Sequence, residues 1–111
     1  MEDKKIRNIV LEDTVPPLRS HYVYEKLGVK SHITSAIVHT PDGCNKYVHV
    51  TSGHGNTQML PTKNFLALND TTDRYRLNEE AGGDEEVWAI IENHDVNPHY
   101  IAIIIEAEPA G

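Results

Sequence analysis

Apolar and polar residues alternate along most of this chain, with the period of strands rather than helices. "KIRNIVL" (residues 5–11) reads as a first strand. "DTVPPLRSHYVYEKLGVKS" (residues 13–31) is the one stretch with helical features. Pro16 and Pro17 sit where a first turn tolerates them, Gly28 stands where a C-cap favours a left-handed residue, and Leu18/Tyr22 and Val23/Leu27 are i,i+4 pairs. The "HYVY" inside it equally fits a short strand. "HITSAIVHTPDGCNKYVHVTS" (residues 32–52) predicts a hairpin turning at Pro41-Asp42-Gly43, with Thr40 opposite Cys44, Ile37 opposite Tyr47 and Ser35 opposite His49. "KNFLALNDTTDRYRL" (residues 63–77) predicts a second hairpin with its bend at residues 69–72. "NEEAGGDEE" (residues 78–86) reads as an acidic surface loop, and "VWAIIENHDVNPHYIAIIIEA" (residues 87–107) as two apolar strands joined through Asn97-Pro98.

That last pair is the strongest packing signal. Ile101, Ile103 and Ile105 point to one side and Ala102 and Ile104 to the other, while Val87, Ala89 and Ile91 oppose Trp88 and Ile90. Both faces are apolar, so both need covering. The expected fold is mostly β: a single domain over residues 1–111, forming a small β-sandwich or barrel of six to seven short strands with one short N-terminal helix. The alternative is α+β, one antiparallel sheet with a helix on one face. Either way a homo-oligomer is expected, with Trp88, Ile90, Ile101, Ile103 and Ile105 as its interface.

Composition narrows the classes. A hydrophobic share of 39% in 111 residues belongs to a folded globule rather than a disordered chain. No apolar stretch approaches the ~20 residues of a membrane helix. The charged "MEDKKIRN" start is followed by no apolar signal segment. A single cysteine, Cys44, fits a reducing compartment, so the expected location is cytoplasmic. The formal charge is −7 and lopsided: residues 61–111 carry eleven acidic against three basic side chains. Nucleic acid is therefore an unfavourable partner, and a basic protein a favourable one.

Chemistry-bearing residues suggest three sites. "GHGNTQ" lacks the third glycine of a dinucleotide fingerprint and the Lys-Ser/Thr of a P-loop. Its glycines and polar groups still suit an anionic ligand such as phosphate or nucleotide, held by Ser52, Gly53, His54, Gly55 and Asn56 with Lys46 and Lys63 supplying charge. In "ENHDVNPHY", His94, His99 and Asp95 are the candidate metal ligands, two imidazoles and a carboxylate around one loop. Cys44 beside a histidine would be a nucleophile–base pair, but a hairpin tip neither excludes water nor builds an oxyanion hole. The expectation is a non-catalytic binding, structural or regulatory module that needs no cofactor and works through partner contacts at Tyr22, Tyr24, Trp88 and the acidic segment 79–86. An anionic-ligand-binding protein using residues 52–58 is one alternative. A histidine-dependent, metal-assisted hydrolase is the other.

Overall fold

The computed structural model describes residues 6–109. Nine strands form two antiparallel sheets, and no helix occurs among the described residues. The strands are β1 (Arg7–Val15), β2 (Ser20–Lys26), β3 (Ser31–Thr40), β4 (Val48–His54), β5 (Thr57–Leu60), β6 (Leu66–Ala67), β7 (Thr71–Ala81), β8 (Glu86–Asn93) and β9 (His99–Pro109). The first sheet has the order β1-β9-β3-β7; the second runs β2-β8-β4-β5, with β6 also pairing β4. The expected β-sandwich is therefore the fold, though with nine strands among the described residues rather than six or seven, and the one-sheet α+β alternative is not. Lys5, at the start of the first predicted strand, lies outside the described residues.

The core is built by alternation. On β9, Ile101, Ile103 and Ile105 are fully buried between the sheets, and on β8 so are Val87, Ala89 and Ile91. These strands are interior members of opposite sheets: β9 lies between β1 and β3, and β8 between β2 and β4. Leu11 faces Ile103 across the β1–β9 ladder, and Val38 faces it from β3. Each fully buried isoleucine contributes about 1.5–3 kcal/mol of transfer free energy. Ile101, Ile103 and Ile105 thus fill the core and offer no surface to a second copy, contrary to the expectation. Trp88 and Ile90 do face outward and are half-buried.

Residues 20–26 form a strand, not part of a helix. Leu18 takes a left-handed φ of 57° directly after the two prolines, which breaks any helical turn there. Beyond it His21 and Val23 point inward while Tyr22 and Tyr24 point out, a period of two. Gly28 does adopt the left-handed φ (78°) that its position suggested, but it serves the β2–β3 connection, its N–H donating to the Gly83 carbonyl.

Both predicted sequence-local hairpins are corrected. β3 pairs with β7 and β9 rather than β4, so residues 41–47 carry the chain from one sheet to the other. Residues 68–70 do the same between β6 and β7, as do residues 94–98 between β8 and β9. Turn residues show where a chain reverses, but not whether the next strand pairs with the last one or crosses the core. The hairpin that does form was read as a loop. β4 and β5 pair His54 with Thr57 across Gly55-Asn56, and Gly55 supplies a left-handed φ of 52°.

Truncating Ile103 to Ala should cost about 2–5 kcal/mol by urea unfolding, because it leaves a cavity between the sheets. Ile104→Ala, on the outer face, should cost clearly less. Equal costs would contradict this assignment of faces.

Candidate functional site

The outer face of the second sheet gathers the side chains with chemical potential. By register, Tyr24–Trp88–Gly53 form one row across β2, β8 and β4, Tyr22–Ile90–Thr51 the next, and Ser20–Glu92–His49 the third. Cross-strand partners share a face, so all these side chains are presented together.

The Gly53–His54–Gly55 stretch is what makes the first row possible. A Cβ at Gly53 would run into the Thr57 carbonyl oxygen and the Trp88 indole, so glycine is required for the ring to lie across the strand. The Trp88 Nε1–H donates to the Gly55 carbonyl at 2.9 Å, and Ser52 Oγ donates to the Trp88 carbonyl at 2.8 Å. Trp88 is therefore held at both its ring and its backbone. Tyr22 stands 6.3 Å from it and 5.4 Å from Tyr24, ring centre to ring centre, and both tyrosines are about half exposed (52% and 54%). The Tyr22 hydroxyl donates to Glu86. Desolvation and then this carboxylate raise the phenol pKa, so Tyr22 stays a neutral donor.

His54 points the other way, into the end of the sandwich. Its Nδ1 bonds Glu85 at 2.7 Å and its Nε2 bonds Glu79 at 2.9 Å. Burial opposes the imidazolium, but the hydrogen bonds and charges of Glu85 and Glu79 outweigh it and hold the His54 pKa above its ordinary value. Glu85 in turn is held low by the Gly82 N–H and then by His54. The clamp ties β4 to β7 across the two sheets and fixes the acidic β7–β8 turn. Ser52, His54 and Gly55, foreseen with Gly53 as anion ligands, thus spend polar groups within the protein, beside the carboxylates of Glu79 and Glu85. Asn56 sits exposed in the hairpin turn. Lys46 belongs to the β3–β4 connection and Lys63 to the bend after β5.

The foreseen metal set His94, His99 and Asp95 is divided. His99 Nε2 donates to Asp95 at 2.8 Å, and its Nδ1 lies 3.7 Å from the Cys44 sulfur. His94 instead faces His49, 4.4 Å between ring centres. Cys44, His99 and Asp95 have the order of a nucleophile–base–orienter line, but Cys44 is fully buried. Burial, and then the charges of Asp95 and Asp42, push its thiol pKa up, the reverse of activation. Asp95 is held low by His99 and the Val96 N–H. This group braces the β8–β9 connection together with Asn93, whose side-chain amide donates to the carbonyls of Val15, Pro16 and Asn97.

Two features of this site are not legible in the sequence: the pairing of His49 with Glu92, and the stacking of Phe65 on His49 at 3.7 Å and 7°. The chain holds no local signal for either, because each depends on which strands become neighbours.

The fold and its outer face define this protein as a two-sheet antiparallel β-sandwich with an aromatic sheet surface. No protein-family model matches the chain, and no curated protein matches it. Among solved structures it is similar to the crystal structure of dimeric latent PorU from Porphyromonas gingivalis, at 6% identity and a TM-score of 0.45. That match covers 98% of this chain and 13% of the other.

Two outcomes test the Gly53–Gly55 region. The raised His54 pKa contributes stability that is fully present below its unfolded value (about 6.5) and is lost as pH rises through the higher folded value. His54→Gln should therefore lower Tm more at pH 6 than at pH 9, read by thermal melts across that range. Gly53→Ala should displace the indole, giving a red-shifted Trp88 emission and a loss of roughly 2 kcal/mol or more.

Proposed function

We propose that this protein is a non-catalytic recognition module whose contact surface is the outer face of the second sheet, and that its partner is a basic protein segment. The supporting observation is the joint presentation of Tyr22, Tyr24 and Trp88 on one face, with Trp88 fixed by Gly53 and Gly55. Rigid aromatic rings bind at little entropic cost and dominate the energetics of contact surfaces. Their faces attract Lys and Arg side chains, by about 0.5–2 kcal/mol per pair. Asp84 and Glu86, in and after the β7–β8 turn, bring negative charge to this end of the sheet, offset in part by Lys26 opposite Glu86, and the whole chain carries −7. Such a field favours a cationic partner and speeds its encounter. A reducing, cytoplasmic setting is part of the same proposal, since Cys44 is a free, buried thiol.

A second copy of the chain is the other reading. The registers align Val10, Ile104 and Ile37 as an aliphatic row across the outer face of the first sheet, with Val10 48% exposed. Sedimentation across a concentration series separates the two readings. Self-association weakened by Val10→Asp would favour the homo-oligomer.

The recognition surface is tested with the fluorescence of Trp88, the only tryptophan. Titration with peptides of graded Lys/Arg content should show affinity that rises with positive charge and falls with salt. The Tyr22→Ala/Tyr24→Ala double variant should lose at least roughly tenfold in affinity, about 1.4 kcal/mol, while keeping its circular dichroism. A peptide response that ignores charge, or survives the double variant, would sink the reading.

A further inference from the structure

We infer that His49, Glu92 and His94 form a binding site for a divalent first-row transition ion, with zinc as the type case, at the end of the aromatic sheet face nearest the β8–β9 connection. His49 and Glu92 are direct cross-strand partners on β4 and β8, and His94 follows β8 by one residue. One ligand atom from each lies within 4.8 Å of the other two. Two imidazoles and a carboxylate are a recurrent ligand set for such ions, which leave the remaining positions to water or a partner's group.

The hydrogen-bond pattern of the seven histidines singles this group out. His21 bonds Asp13, His32 bonds Glu80, His39 bonds Thr72, His54 bonds Glu79 and Glu85, and His99 bonds Asp95. Among the seven histidines, all of them described, only His49 and His94 have no side-chain hydrogen bond, and these two face each other beside Glu92, which also forms none. Their ligand atoms lie within 4.8 Å of one another without being hydrogen-bonded. That spacing is close to what a shared ion needs, since donors at ~2.0–2.2 Å from one centre sit roughly 3–4 Å apart.

The supports of the three ligands also differ in kind. His49 is held by its flat stacking on Phe65, which leaves both ring nitrogens unspent. The His94 backbone is fixed by its N–H bond to the Tyr47 carbonyl at 2.9 Å and by the neighbouring Asn93 anchor. Glu92 is carried on a central strand. Ligands on rigid elements lose little freedom when an ion arrives. The ion would clasp β4 to the end of β8, on the same face as Tyr22 and Trp88 but independently of any protein partner.

The test is titration of the purified protein with Zn2+ by calorimetry and with Co2+ by visible absorption. One equivalent should bind, and the histidine ring resonances of His49 and His94 should shift while those of His21, His32 and His39 stay. His94→Ala and Glu92→Gln, both at solvent-accessible positions, should each weaken binding by roughly 100-fold, the upper end of what even a lost outer-shell partner costs. His99→Ala should bind as the wild type does. Absence of Zn2+ and Co2+ binding would overturn the inference. So would weakening of less than about threefold in either His94→Ala or Glu92→Gln, with circular dichroism confirming the fold, or loss of binding in His99→Ala instead.

Discussion

Everything in this sandwich depends on burying the inward faces of β8 and β9 in one shared interior. The two strands follow each other in the chain but lie in different sheets, so Val87, Ala89 and Ile91 and Ile101, Ile103 and Ile105 line opposite walls of one core. This arrangement makes both strands central, because each then needs neighbours on both edges to satisfy its backbone groups. β1 and β3 flank β9, and β2 and β4 flank β8. The crossing is braced by polar groups that could not be left unpaired inside the fold. Asn93 is 2% exposed and gives its amide hydrogens to three carbonyls, while His99 and Asp95 close the connection beside Cys44.

At the far end of the sheet the same need for satisfied buried groups shapes the surface. His54 takes the inward position on β4 where an apolar residue would otherwise stand, and the two carboxylates around it make that position tenable. The glycines on either side give Trp88 its seat and its hydrogen-bond acceptor. One short segment thus joins the sheets on its inner side and steadies an aromatic ring on its outer side.

The histidines show how much of this was legible. Their number and their strand and loop positions are plain in the sequence, but their grouping was read by closeness along the chain. That reading joined His94 to His99 and Asp95. Pairing of β4 with β8 instead brought His49 and Glu92 to His94, while His99 turned to Asp95 and Cys44. The helix expected before Gly28 failed for a similar reason. The i,i+4 pairs Leu18/Tyr22 and Val23/Leu27 were present, but a neighbouring β8 edge offered backbone partners that an isolated helix could not outbid.

By itself the sequence determined that the chain is mostly β, that the two apolar strands within residues 87–107 pack into its core, and that Gly28 takes a left-handed conformation. These follow from local sterics and from the two-residue period, which act within a few residues. Only the tertiary structure decided which strands pair, and with that the two sheets, the aromatic face and the His49–Glu92–His94 cluster. Pairing is chosen by burial summed over the whole core, and the same turn residues serve a hairpin or a crossing equally well.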